Sequence, residues 1–394
     1  MYSINTDLNH DVCMSMLAAA GIYLVLDVNS PLPSHHLNRY EPWTTYDSSY
    51  LENVFKAVHQ FSTYNNTLGF FAGNEIINDK LSATNSPVFV KAVVRDIKAY
   101  IAKNSPRPIP VGYSAADDLD YRISLSQYLE CTDSDHLESI DFYGVNSYQW
   151  CGDQTMDSSG YHTLVKDYKQ YSKPVFLSEY GCNEVLPRRF GEVQAIYSPE
   201  MTDVFSGGLV YEFTQEPNNY GLVKVLPNCD VNLLPDYFQY QYQLDILPHI
   251  NYHQINKQIV KSQKQFSKFK HPQLVKCSQI YQNLDTSKEV PQIPYESADL
   301  INKGANVTQG RFIRLSQQQL TNKFNIYYNE TEIYPITSTV QIDYDPVPNK
   351  VVTNPNNSMS YRIPRKPSTK SDSKNNIISR IYSKLSSYLR KTLE

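Results

Sequence analysis

Two glutamates fall at the ends of apolar, strand-like runs: Glu75 closes LGFFAGNE (68–75) and Glu179 lies near the end of PVFLSEYG (174–181). Two carboxyl groups held about 5–5.5 Å apart can break a glycosidic bond with retention. One is protonated, donates to the leaving oxygen and then acts as base. The other is ionised and attacks the anomeric carbon. Asn74 precedes Glu75. An Asn-Glu dipeptide alone is weak evidence, but behind a buried strand, with a second strand-end glutamate downstream, it gains weight. Other reactive groups fit less well. His35–His36 have no third ligand at useful spacing and read as loop histidines, and Asp117–Asp118 read as a solvated loop. None of the six cysteines forms a C-x-x-C pair, which argues against a zinc site.

The elements that must carry these residues alternate. GIYLVLDV (21–28), LGFFAGNE (68–75), IPVGYS (109–114), SIDFYGVNSY (139–148), PVFLSEYG (174–181) and GGLVYEF (207–213) read as six strands. Between them YLENVFKAVHQF (50–61) and PVFVKAVVRDIKAYI (87–101) carry helical stripes, and a further helix is expected around 160–171. Buried strands alternating with helices imply a parallel sheet with helices outside. Polar residues collect at the strand ends: Asp27, Asn74, Glu75, Ser114, Asn146, Tyr148, Glu179 and Tyr211. In a (β/α)8 barrel those ends form the active-site face. An open doubly wound sheet would alternate in the same way, but no G-x-G-x-x-G or P-loop follows any strand. A barrel needs eight strands, and the one further candidate is a stub at residues 1–4.

Bulk properties set limits. The 394 residues suffice for one large barrel with a tail or for two medium domains, and a net charge of −4 gives no pointer to nucleic acid. Tyrosine is abundant at 32 residues; its rings can stack on sugars, but most are expected to fill core. From about residue 245 the β-α rhythm stops and Asn, Gln, Ser, Lys and Pro dominate, so residues 246–394 read as a mostly disordered tail. Ile377, Ile381, Leu385, Tyr388 and Leu389 have near-helical spacing, which reads as a solvated terminal helix. Asn65, Asn306, Asn329 and Asn356 stand in sequons.

The runs LGFFAGNE, IPVGYS, DFYGVNSYQWCG, PVFLSEYGCNE and GGLVYEF resemble the fungal β-1,3-glucanosyltransferases of glycoside hydrolase family 72, over roughly residues 1–225. The resemblance implies a (β/α)8 TIM barrel that cleaves a β-1,3-glucan internally and passes the new reducing end to the non-reducing end of another chain. It implies β-1,3-glucan donor and acceptor chains as partners, no cofactor and no metal. Residue by residue, Glu75 matches the acid/base, Glu179 the nucleophile and Asn74 the ligand of the sugar 2-hydroxyl. Tyr148 matches a hydrogen-bond partner of the nucleophile, Asp27 and Tyr2 match substrate-side positions, and Tyr211 lines the last strand end. Cys151 and Cys182 match a family disulfide, and a pairing of Cys131 with Cys277 is implied as well.

Measured against the family, MYSINT reads like the tail of the second strand, with Met1 as an internal start. The barrel, residues 1–245, is then expected to lack its first βα unit and most of its second strand, followed by a largely irregular C-terminal tail. Cys13 would lose its partner, and Cys229 would also be free. MYSINTDLNH carries no basic start or apolar core of a leader, and KLSSYLRKTLE is too charged for a GPI signal. The resemblance nonetheless implies the outer face of the plasma membrane and the cell wall. Two alternatives stay open: a retaining endo-β-1,3-glucanase using the same glutamates, and an inactive, truncated glucan-binding paralogue.

Overall fold

The computed structural model describes residues 4–133, 135–248, 257, 275–320, 323–328 and 330–333. Tyr2 and the stretch around 377–389 lie outside the described residues, as does all but Ile4 of the stub expected at 1–4. The chain opens with helix α1 (Asp11–Ala19), strand β1 (Leu24–Asp27) and helix α2 (Ser48–Phe61). Asp47 caps α2 by accepting the Tyr50 N–H at 2.8 Å, satisfying one of the unpaired donors of the first turn. The repeat continues through β2 (Thr67–Asn74), α3 (Lys80–Asn85), α4 (Pro87–Asn104), β3 (Val111–Ala116), α5 (Arg122–Glu130), β4 (Phe142–Asn146) and α6 (Tyr161–Tyr168). It ends with β5 (Val175–Tyr180), α7 (Glu192–Ile196), α8 (Pro199–Thr202) and β6 (Phe205–Val210).

The six strands form one wholly parallel sheet in the order β1-β2-β3-β4-β5-β6, with helices between consecutive strands. These are six consecutive units of a (β/α)8-type barrel, at the positions the six apolar runs predict. Burial on both strand faces explains why the runs are so apolar: Phe70, Phe71 and Ala72 of β2 are all fully buried. Tyr50, Leu51, Val54, Phe55 and Val58 of α2 and Val90, Val93, Val94 and Ile97 of α4 are also fully buried. Each such side chain contributes on the order of 2 kcal/mol of transfer free energy.

One layer of the sheet interior is aromatic. The rings of Phe71 (β2), Phe142 (β4) and Phe176 (β5) meet at 5.3–6.2 Å between centroids. Gly112 on the intervening β3 makes room for them, since a Cβ there would lie 2.4 Å from the Phe142 ring.

A second sheet has the order β10-β9-β8-β7 and comprises β7 (Val223–Val225), β8 (Val231–Leu233), β9 (Ile326–Tyr328) and β10 (Glu332–Ile333). Between its halves lie α9 (Pro235–Asp245), α10 (Tyr295–Lys303) and α11 (Gln317–Leu320). β9 pairs in parallel with β8, so residues past 320 join residues near 230.

The expected disorder of residues 246–394 therefore does not hold for 275–320, 323–328 and 330–333. Largely irregular in backbone, they are laid against the barrel. α10 packs on α2 and α4. The Ala305 N–H donates to Tyr100 Oη (2.7 Å), Gly310 N–H to the Gln60 carbonyl (2.9 Å) and Arg311 N–H to Asp11 Oδ1 (2.9 Å). A Cβ on Gly310 would fall 2.1 Å from the Tyr64 ring, so this stretch lies flat on the barrel. Cys131 and Cys277 are disulfide-bonded across 146 residues. The segment is held by a few apolar anchors, such as Tyr281, Ala305, Leu315 and Ile326, which a polar average composition conceals. Among the described residues, no helix is long and apolar enough to cross a membrane.

Candidate active site

Backbone register sets Asn74 beside Ser114 and Asn146 beside Glu179, the second pair two positions further along the strands. Asn74 pairs with Ser114, Ala116 with Asn146, and Asn146 with Glu179. Beyond the ladder, the Glu75 N–H donates to the Ser114 carbonyl (2.9 Å) and the Ser147 N–H to the Glu179 carbonyl (2.9 Å). Both glutamates thus stand on the same end of the sheet, tied by main-chain bonds.

At Glu75 the backbone turns off β2 with φ +47°, a left-handed conformation uncommon for a residue with a Cβ. The next turn is pinned by the Ile77 N–H donating to Tyr113 Oη at 2.9 Å. Asn146, 3% exposed, lies at the centre. Its Nδ2 donates to Glu75 Oε1 (2.8 Å) and Asn74 Oδ1 (3.0 Å). Its Oδ1 accepts from Ser114 Oγ (3.0 Å) and Ser178 Oγ (2.7 Å). Gly144 lets β4 and β5 approach here, since a Cβ would fall 2.5 Å from Ser178 Oγ.

Glu179 accepts a hydrogen bond from Tyr148 Oη at 2.6 Å. Burial raises its pKa to about 7; the Tyr148 hydroxyl opposes this, and the nearby charges of Glu75 and Glu212 reinforce it. The Tyr148 phenol is pushed well above its usual value by burial and by the Glu179 charge, so it keeps its proton and donates. The rings of Tyr148, Tyr211 and Tyr220 contact one another edge-on at 5.2–6.3 Å. Tyr211 and Tyr220 are held from behind by Arg188. Its Nη1 donates to the Tyr211 carbonyl (2.8 Å), its Nη2 to the Tyr220 carbonyl (2.5 Å), and its Nε to Asp236 (2.5 Å). Cys151 and Cys182 are disulfide-bonded and join the segments that follow β4 and β5, close to Tyr148 and Glu179.

A cleft of about 400 Å3 is lined by Glu75, Asn78, Ala116, Asp117, Asp118, Asn146, Tyr148 and Gln149. Asp117 is not a solvated loop residue, as its sequence context suggests. Its side chain is 5% exposed and pairs with the buried Arg122 at 2.7 Å. Asp118 borders the same cleft. Asp27 ends β1, where its Oδ1 accepts both the backbone N–H and the Nδ2 of Asn29 at 2.8 Å. Burial raises the Asp27 carboxyl to about 6. Asn29 is itself fixed by Tyr50 Oη (2.7 Å) and the Ala72 carbonyl (3.0 Å). Cys13 and Cys229 are unbonded.

Sequence reasoning recognised Asn146 as a strand-end polar residue without giving it a role, and did not mark Tyr220 or Arg188. Asn146 acts through Ser114 and Ser178, which are distant in sequence. Tyr220 and Arg188 lie outside any periodic segment.

The comparisons with known proteins point one way. A family model described as Glucanosyltransferase (Glyco_hydro_72) matches residues 1–247. The chain is 55% identical over 327 residues to 1,3-beta-glucanosyltransferase GAS4 of Saccharomyces cerevisiae, covering 83% of this chain and 67% of that protein. It is 43% identical over 325 residues to 1,3-beta-glucanosyltransferase gel2 of Aspergillus fumigatus, covering 82% and 66%. Among solved structures it resembles Saccharomyces cerevisiae Gas2p in complex with laminaripentaose. That match has a TM-score of 0.65 and 37% identity, and covers 75% of this chain and 63% of that one. The chain thus spans about two thirds of the length of these relatives.

Proposed function

Since the chain belongs to the glucanosyltransferase family, glycoside hydrolase family 72, we propose that it is a 1,3-β-glucanosyltransferase acting on β-1,3-glucan by retaining double displacement. The observation that carries this reading is the placement of Glu75 and Glu179 on one end of a parallel barrel sheet, with Asn146 bonded to Glu75 and in register with Glu179. Glu179, as carboxylate, attacks the anomeric carbon of the donor. The glycosidic C–O bond breaks, and its oxygen takes the proton of Glu75. The hydroxyl at the non-reducing end of a second glucan then enters and gives its proton to Glu75. It attacks the same carbon and displaces Glu179, which leaves a longer chain with the original configuration.

Asn74 binds the 2-hydroxyl of the sugar at the reaction centre, and Tyr148 steadies Glu179 as a carboxylate. Tyr211, with Tyr220, forms an aromatic wall against which sugar rings stack. Asp27 stands on the substrate side. The disulfides Cys131–Cys277 and Cys151–Cys182 support an oxidising compartment and, with it, the cell surface and wall as the place of action.

Incubation with a reduced laminari-oligosaccharide tests the reading. Products longer than the substrate are expected, and Glu75→Gln and Glu179→Gln should each lower their formation by about 10³-fold or more. Shorter products alone would make the protein an endo-β-1,3-glucanase. Activity surviving both substitutions would remove the mechanism.

A further inference from the structure

We infer that Asn146 is a positioning residue for the general acid, fixing which oxygen of Glu75 carries the proton and which end of the Asn74 amide faces the sugar. This deepens the reading above and rests on it for the roles of Glu75 and Asn74.

An asparagine side chain offers two acceptor sites on Oδ1 and two N–H donors on Nδ2, and at Asn146 all four are engaged. Both acceptor sites take serine hydroxyls, from Ser114 on β3 and Ser178 on β5. Both donors point at oxygens, Asn74 Oδ1 and Glu75 Oε1. The amide cannot flip, because the flip would set Oδ1 against two acceptors in a buried place, where unmade bonds are costly.

Two consequences follow at the reacting atoms. Glu75 Oε1 accepts from Asn146, so the proton Glu75 delivers sits on Oε2. Asn74 Oδ1 is likewise occupied, so Asn74 presents its Nδ2 and binds the 2-hydroxyl as a donor. The left-handed backbone at Glu75 supports the same view. A carboxyl leaving the strand on a strained turn needs a side-chain tether, and Asn146 supplies one. The strands do not need Asn146 for their register, which the main-chain bonds already set. The two serine hydroxyls lie 2.8 Å apart, so each keeps a partner without it.

The experiment compares two donors. A β-1,3-oligoglucan needs a proton on its leaving oxygen, whereas a dinitrophenyl β-laminarioside does not. Asn146→Ala should lower kcat/KM for the oligoglucan by about 10²-fold, the low end of what a placed general acid supplies. Release of dinitrophenolate should fall at least about 10-fold less. Glu75→Gln should show the same selectivity more strongly, and Glu179→Gln should lose both reactions. Equal losses of both donors in Asn146→Ala, or no loss, would overturn the inference while Glu75→Gln stays selective. A non-selective Glu75→Gln would instead overturn the acid/base reading itself. If Asn146→Ala does not fold, Ser114→Ala with Ser178→Ala carries the test, since it frees the amide without touching Nδ2. A selective loss supports the inference and an equal loss overturns it.

Discussion

Tyr148 and Glu179 shift each other's titration in opposite directions: the phenol favours the Glu179 carboxylate, and the carboxylate keeps the phenol protonated. Burial holds Glu179 near pH 7, above the ordinary carboxylate range, and the Tyr148 hydroxyl draws it back down. The attacking form is the carboxylate, so activity is lost as pH falls through that value. The acid limb of kcat/KM should therefore lie nearer 7 than 4.5. Tyr148→Phe removes a donor to the charged form and raises Glu179 further, so the limb should move to higher pH. A pH–rate profile of the variant checks this, and an unmoved limb would mean that Tyr148 does not act on Glu179. Much of this scale was legible in the sequence. Glu75, Asn74, Glu179 and Tyr148 each stand beside a strand end that an apolar run announces. Asn146 and Asp117 were not legible, because their meaning lies in partners across the sheet: Ser114 and Ser178 for one, Arg122 for the other.

Among the elements, β4 and β5 pack closely at the site. Gly144→Ala would drive a methyl into Ser178, whose Oγ and Cβ would lie 2.5 and 2.7 Å away. The strands must part, at a cost of about 1–3 kcal/mol, read as a lowered midpoint in denaturant titration. Activity should fall more than stability, since Asn146 and Glu179 ride on those strands. Arg188 sets the opposite wall. Lysine keeps the charge but loses the fork that reaches the Tyr211 and Tyr220 carbonyls and Asp236 together. Arg188→Lys should raise KM for glucan several-fold with a smaller change in kcat, measured by transfer kinetics across donor concentrations. The strands were readable from sequence because burial on both faces makes them continuous apolar runs. Helices α3, α7 and α8 were not, being four to six residues long with too few turns to show a period. α9, PDYFQYQYQLD, is masked by its Tyr and Gln content.

Across the whole molecule, the described residues between 275 and 333 strap the outside of the barrel. They are anchored by Cys131–Cys277, the contact of Gly310 with Tyr64, and the pairing of β9 with β8. Cys131→Ser with Cys277→Ser opens a loop of 146 residues. In the chain-entropy account this costs about 5 kcal/mol, and equilibrium unfolding of the variant measures it. The strap was invisible to compositional reading because stability here comes from a handful of contacts at long sequence separation, while the average composition of the segment is polar.

The two glutamates owe their spacing to a ladder of main-chain bonds running from β2 to β5, with Asn146 in its middle. Loop length does not enter that spacing. Insertions, deletions and exchanged residues in the segments beyond the strand ends can reshape the cleft while the distance between the two carboxyls stays constant. Such a scaffold leaves the reaction to the strands and variation to the loops around it.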